Sequence, residues 1–415
     1  MTCLLSAADS CFSEDYRQAR ARFLAACQAA DLAVKSYLNP NKGPQGEELA
    51  TDVVWDGPAD AQKVLVLLSA THGVEGFPGA AAQLDWLTNL RQQPRQDDLA
   101  VMLIHAINPH GFAWLRRVSE EGVDMNRNYI DFDRPLPENP GYDELHSALV
   151  PDSLDSAHLA NCAKRIKAFQ EKHGDRAYSI ARSGGQYSHP GGVFFGGAPA
   201  WARRTLERII DDHDLAARAV VAVVDYHTGL GPYGYGEPIS DHPVDSVNVA
   251  RAKAWYGPSV TQPSLGTSSS VPKSGLNERG WERKLGDKVT FIALEFGTYQ
   301  PPRGMEVLRA DHWLHNRGPV DWSSAQTQAI KKAIREHFVP PHQDWPPAAD
   351  RPVERRSFSP AQVRPRAARA IARWLHAGHG PRAVFSRRKA GGRRQVSFEF
   401  TRNNSLLSFV SRAVE

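Results

Sequence analysis

Val64-Leu-Val-Leu-Leu-Ser-Ala-Thr-His-Gly-Val-Glu-Gly76 runs from five aliphatic residues into a polar turn punctuated by glycine. The apolar run is short and unbroken, the pattern of a strand covered on both faces. The turn sets His72 and Glu75 three residues apart at the strand's end, and both side chains are able to bind a metal ion. Alone, a His-x-x-Glu spacing says little in a chain with 16 His. Three further apolar runs end the same way. Val101-Met-Leu-Ile104 precedes Asn108-Pro-His-Gly-Phe112, Ala219-Val-Val-Ala-Val-Val224 precedes Asp225-Tyr-His-Thr-Gly229, and Val289-Thr-Phe-Ile-Ala-Leu294 runs into Glu295-Phe-Gly297. Ligand sites in open α/β sheets form outside the carboxyl ends of the strands. Four strand ends rich in His, Glu, Asn and Asp therefore describe one site.

Helical periodicity fills the intervals. Tyr16, Ala19, Phe23, Ala26, Cys27 and Ala30 recur at three- and four-residue steps and predict a helix from Glu14 to about Val34. Further helices are expected over 79–92, 155–173, 199–213, 245–255 and 323–337. Residues 32–55 lead into the sheet, with a turn marked by Pro40 and Gly43-Pro44. The Gly-, Pro- and Tyr-rich stretch 229–241 is a loop. The Ser/Gly/Pro-rich stretch 258–280 predicts a mobile loop near the site. Alternating strands and helices predict an α/β fold, a mixed, mostly parallel twisted sheet with helices on both faces.

Composition narrows the classes. Hydrophobic residues make up 41% and charged residues 23% of 415, ordinary for a globular protein. No apolar run approaches ~18 residues, so no membrane-spanning helix is expected. Met1–Ala8 lacks a basic region and Asp9, Glu14 and Asp15 follow, which argues against a secretory leader and for a cytoplasmic protein. The four cysteines form no C-x-x-C pair, so free thiols and no Cys-based zinc site are expected, with Cys27 and Cys162 buried as small apolar residues. Charge divides the chain. Residues 346–415 hold 15 Lys and Arg against 4 Asp and Glu, whereas 1–345 hold 35 against 42. The expected organisation is a catalytic domain over 1–345 and an Arg/Pro-rich basic tail of low order over 346–415, with a short helix near Ala367–Leu375. The tail carries no helix-turn-helix or aromatic-basic pattern, so any nucleic-acid contact would be nonspecific. Without a Gly-x-Ser-x-Gly elbow, a serine hydrolase is unsupported. Gly191–Gly197 lacks a phosphate-cradle pattern and is expected to shape a wall.

A hydrolytic zinc site needs three protein ligands and an open position. His72, Glu75 and His227 supply two imidazoles and a carboxylate for one zinc ion. A further carboxylate must take a proton from the attacking water. Glu295 ends its own strand between Leu294 and Phe296, apolar neighbours that raise its pKa toward the working range.

At these residues the chain resembles the zinc carboxypeptidases, in particular the bacterial carboxypeptidase-like branch close to the succinylglutamate desuccinylase/aspartoacylase group. Thr71-His-Gly-Val-Glu-Gly76 resembles the first zinc motif, and Asn108-Pro-His-Gly-Phe112 the Asn-Pro-x-Gly segment. Arg117-Val-Ser-Glu-Glu-Gly-Val-Asp-Met-Asn-Arg-Asn-Tyr129 is similar to the Arg…Gly-Val-Asp-Leu-Asn-Arg-Asn-Phe stretch. Asp225-Tyr-His227 and Leu294-Glu295 match the third ligand and the general base. The resemblance implies that Arg117 stabilises the oxyanion. It implies that Asn126 and Arg127 grip the substrate's terminal carboxylate, and that Asp124 orients His72. Arg116, next to Arg117, is expected to be a surface cation, though sequence leaves the two exchangeable. Ser119 stands where relatives often have Asn. Tyr226, Tyr233, Tyr235 and Tyr256 are all candidates for the family's substrate-covering tyrosine. The implied substrate is a small peptide or an N-acyl amino acid, so carboxypeptidase and deacylase share every named residue. A non-catalytic binding protein on the same fold is disfavoured by the complete ligand set and Glu295.

Overall fold

The computed structural model describes residues 10–92 and 95–340, and the helix expected near 367–375 lies outside them with the rest of the basic tail. Among the described residues one sheet holds β1 (Val34–Lys42), β2 (Glu48–Asp56), β3 (Lys63–Leu68), β4 (Leu99–His105), β5 (Val220–Thr228), β6 (Gly236–Ile239) and β7 (Val289–Phe296). Their spatial order is β1-β2-β4-β3-β5-β7-β6. The central strands β4, β3, β5 and β7 run parallel. Antiparallel strands close both edges, β2 and β1 on one side and β6 on the other. The sheet is thus the mixed α/β sheet expected. The entry at 32–55 turns out to be the β1–β2 hairpin.

The helices are α1 (Tyr16–Ala29), α2 (Gly76–Asp85), α3 (Pro109–Ala113), α4 (Pro140–Leu149), α5 (Ser156–His173), α6 (Asp175–Ser183), α7 (Trp201–Asp212), α8 (Val247–Tyr256), α9 (Asn277–Leu285), α10 (Pro301–His315) and α11 (Ala325–Phe338). Five of them, α3, α4, α6, α9 and α10, are not expected from the periodicity. In α6 only Ala181 is buried, and in α9 the buried apolar side chains are Trp281 and Leu285, too few to make a pattern. α10 opens on Pro301-Pro302, which reads as a breaker but is tolerated in a first turn, where the missing N–H has no partner anyway.

Period-2 alternation sorts the strands between two cores. Leu65 and Leu67, Leu103, Val224 and Leu294 face one side with Phe23 and Cys27 of α1. Val64, Val66 and Leu68, Ile104, Val223 and Phe291 face the other with Leu206 and Ile209 of α7 and Trp281 of α9. Each such fully buried aliphatic side chain contributes roughly 1.5–3 kcal/mol. On the second face the pattern changes near the carboxyl ends. β5 continues Val221, Val223 with Asp225 and His227, and β7 continues Val289, Phe291, Ala293 with Glu295. His227 and Glu295 are register partners on adjacent parallel strands, so their side chains share that face. The site therefore begins where the apolar face of the sheet ends.

Candidate metal centre

His72 and Glu75 bracket a single 3-10 turn, Gly73–Glu75, that follows β3. The turn lies against the start of α3. A Cβ on Gly73 would meet Gly111 backbone at 2.0 Å, so only glycine permits the approach. Asn108 caps α3 by accepting the Gly111 N–H at 2.9 Å, so its segment supports the ligand turn and does not reach the site. The amides of Gly73 and Val74 donate to the carbonyls of Arg117 and Arg116, which ties the turn to the Arg117–Tyr129 stretch.

The donor atoms converge. His72 Nδ1 lies 3.1 Å from Glu75 Oε1. His227 Nδ1 lies 3.1 Å from Glu75 Oε2 and 3.1 Å from His72 Nδ1. One ligand atom from each of the three buried residues lies within 4.8 Å of the others. On the far sides of the rings, His227 Nε2 is 2.9 Å from Asp225 Oδ2 and His72 Nε2 is 3.2 Å from Asp124 Oδ1. An Nε2–H donated to each aspartate leaves both Nδ1 lone pairs facing each other and the Glu75 carboxylate. That arrangement is repulsive without a cation and suits a metal ion. Arg117 Nη2 also approaches His72 Nε2, at 2.9 Å. A bond donated there requires the opposite tautomer, with the proton on Nδ1 toward Glu75; a metal at Nδ1 selects the Asp124-bonded form. Asp225 is itself fixed by Thr71 Oγ1 at 2.8 Å and Asn277 Nδ2 at 3.4 Å. The role of Asp225 is missed in the sequence reading, although its i, i+2 spacing from His227 puts both on one face of β5.

The electrostatics favour a dication. Burial opposes charge on Glu75, but His72, Arg117 and His227 outweigh it and hold the carboxyl well below the usual range. Burial likewise opposes charge on His227, yet Asp225 and Glu75 draw positive charge to it. Glu295 differs. Burial and then the negative charge of Glu75 push its pKa up to about 7, against His227, the Leu230 N–H and Lys273. That amide donates to Glu295 Oε1 at 3.1 Å. Two carboxylates in one site are thus pushed apart, one fixed as an anion and one poised to exchange a proton.

The arginines are sorted by the structure. Arg116 is buried, not the surface cation expected, and pairs through Nε with Asp311 Oδ2 at 3.0 Å, where Lys331 also binds. Arg117 alone enters the site, with Nη1 2.6 Å from Glu75 Oε1 and Nε 3.0 Å from Asp124 Oδ2. The arginine of the implied carboxylate clamp is not presented to a ligand. Arg127 has a side chain only 1% exposed. Its Nη1 and Nη2 donate to the carbonyls of Asn126 and Ser183, both at 2.6 Å. Asn126 Oδ1 accepts the Asn277 N–H at 3.0 Å. Arg127 is thus turned to internal partners, whereas Asn126 is half-buried, with its Nδ2 3.5 Å from His227 Nε2. Phe194 of the Gly-rich segment backs the site, with the guanidinium carbons of Arg117 and Arg127 at 5.4 and 5.3 Å from its ring centroid. Tyr226 and Tyr256 are packed in the core, so neither covers a substrate; Tyr233 and Tyr235 are partly exposed.

Residues 12–349 match the family described as protein of unknown function, DUF2817. The chain belongs to this family. Comparison with curated proteins finds no match. Among solved structures it is similar to carboxypeptidase A from Helicoverpa armigera, at 12% identity, 88% of this chain, 74% of that chain and a TM-score of 0.42. It is similar to a succinylglutamate desuccinylase from Silicibacter sp. TM1040, at 13% identity, 74% of this chain, 67% of that chain and a TM-score of 0.35. It is also similar to a metallo-carboxypeptidase from Burkholderia cenocepacia, at 11% identity, 79% and 68% coverage and a TM-score of 0.36. Among the described residues no helix is long and apolar enough to cross a membrane.

This DUF2817 chain holds a second group of metal-ligand types, His242, Glu278 and Glu282. His242 Nδ1 lies 2.9 Å from Glu278 Oε1 and 2.6 Å from Glu282 Oε1. Its Nε2 accepts the backbone N–H of Phe291 at 2.9 Å, just past the point where β6 stops pairing with β7. Burial opposes charge on this ring, but Glu278 and Glu282 outweigh it and push its pKa up to about 9. The Phe291 amide works against that charge, since a ring protonated at both nitrogens has no lone pair to accept its bond, and it holds the proton on Nδ1. Nδ1 therefore donates to Glu282, with Glu278 alongside. Held this way, the imidazole supports β7 and has no nitrogen lone pair free.

Proposed function

We propose that this protein is a zinc-dependent hydrolase of an amide bond next to a free carboxylate, resembling a metallocarboxypeptidase. The observation that carries the reading is the convergence of two Nδ1 lone pairs and Glu75 beside Glu295, with both rings locked from behind by aspartates. His72, Glu75 and His227 would hold one zinc ion. When bound, zinc supplies a Lewis acid for the scissile carbonyl and a water whose pKa falls to about 7. Glu295 takes the proton of the attacking water and carries it to the leaving amine. Its apolar burial suits it to both halves of that task. Arg117, with a side chain 13% exposed, is the site guanidinium with access to solvent, and its charge would stabilise the oxyanion. Asp124 and Asp225 keep the two imidazoles in the ligating tautomer. Arg117, Arg127 and Lys273 gather positive charge on the Glu295 side, which favours a substrate with a negative group.

The test is a screen of zinc-loaded protein against peptides with free carboxyl termini and N-acyl amino acids. Hydrolysis of either class that is lost on chelation and restored by zinc supports the reading. Absence of metal-dependent turnover in both would sink it.

A further inference from the structure

The stretch expected to be a mobile loop is tied down at both ends of the site. On one side Glu237 of β6, the register partner of Glu295, accepts the hydroxyls of Ser268 at 2.8 Å and Ser269 at 2.5 Å and the Ser269 N–H at 3.1 Å. Directly opposed residues of an antiparallel pair share a face, so this anchor stands beside Glu295. On the other side, Ser274 N donates to Gly184 O, and Tyr129 N donates to Gly275 O, each at 3.0 Å. Gly275 has φ +73°, and a Cβ there would meet Arg127 O at 2.2 Å. Asn277 then reaches Asn126 and Asp225. Residues 268–277 therefore form a strap running from the neighbour of Glu295 to the partner of His227.

Lys273 lies in the middle of that strap and is partly exposed. Its ammonium donates to Ser270 Oγ, and among the described residues it forms no ion pair. Burial, and then Arg127, bring its pKa down to about 8, while Asp241 and Glu295 favour its charge through space. Arg127, in contrast, is sealed behind the strap with its terminal nitrogens donated to carbonyls. We propose that Lys273, and not Arg127, is the residue that contacts the substrate's carboxylate. This rests on the hydrolase reading above. Arg127 acts from behind as a positioning residue, fixing the 126–128 turn and adding positive potential. An ammonium is a point charge that does not require the bidentate geometry of a guanidinium, so the site would accept carboxylates at varied angles.

The experiment measures binding, so that it stands apart from catalysis. Zinc-loaded wild type, Lys273→Met, Lys273→Arg and Arg127→Met are titrated with N-acetylglycine and with N-acetylglycinamide, followed by ligand-observed NMR. Metal content and melting temperature serve as controls on folding. Wild type should prefer the acid over the amide. Lys273→Met should reduce that preference by about tenfold or more, and Lys273→Arg should restore most of it. A preference unchanged in Lys273→Met but abolished in well-folded Arg127→Met would return the role to Arg127 and overturn the proposal. A wild type that binds the acid no better than the amide overturns it as well. A Lys273-dependent preference in a protein that hydrolyses nothing would sustain the carboxylate anchor while removing the hydrolase reading.

Discussion

His72, Glu75 and His227 put two imidazoles and a carboxylate together, and His242, Glu278 and Glu282 one imidazole and two carboxylates, with ligand atoms within 4.8 Å of one another in both groups. They differ on the far side of the imidazole. In the first group each Nε2 faces an aspartate, Asp124 or Asp225, and the Nδ1 lone pairs turn inward. In the second, Nε2 faces the Phe291 N–H, and Nδ1 gives its proton to Glu282. Proximity of His and Glu therefore does not mark a metal site. The partner of the remote nitrogen does, because it decides which nitrogen keeps a lone pair.

Mutations should separate the two groups by effect and by magnitude. The largest effect is expected at Glu295. Glu295→Gln should retain zinc and fold but lose turnover by about 10²–10⁴-fold, since an amide cannot take the proton. In wild type, kcat/KM should rise with pH as Glu295 ionises. Burial and Glu75 set that limb near about 7 in the metal-free site, and a bound dication, favouring the carboxylate, moves it lower. A rate that falls over roughly pH 5–7, or near-normal turnover in Glu295→Gln, would place the base elsewhere.

Next comes the support of the ligands. Asp225→Asn should weaken zinc affinity by about 10–100-fold without unfolding the protein, as read by competition with a chelator. Affinity equal to wild type would mean that Asp225 does not set the tautomer of His227. The smallest effect is expected in the second group. His242→Ala leaves the Phe291 N–H without a partner and removes the imidazole beside the buried Glu278, which keeps the Asp241 N–H, so stability should fall by roughly 1–3 kcal/mol in denaturant unfolding. Zinc content should stay at the wild-type level. An equal loss of zinc there would erase the distinction between the groups.

Much of the site was legible in the sequence because it sits on strand ends. His72, Glu75, His227 and Glu295 each follow an apolar run, and a parallel sheet gathers its carboxyl ends on one side. Asp225 was equally open to view through its period-2 relation to His227. The fates of Arg116 and Arg127 were not. Adjacent arginines look alike until Asp311 on α10, distant in sequence, claims one of them. Nor does the motif around Asn126-Arg127 reveal that a strap more than a hundred residues later closes over it. Ser268 and Ser269 read as part of a flexible run because their anchor, Glu237, belongs to a four-residue edge strand whose Pro238 weakens the strand signal.

The most direct test of the central claim is metal analysis of purified, zinc-loaded protein after dialysis. Wild type should hold one zinc per chain, His72→Ala and His227→Ala should each lose most of it, and His242→Ala should retain it. Wild-type zinc in His72→Ala or His227→Ala, or loss confined to His242→Ala, would contradict the assignment of the metal centre.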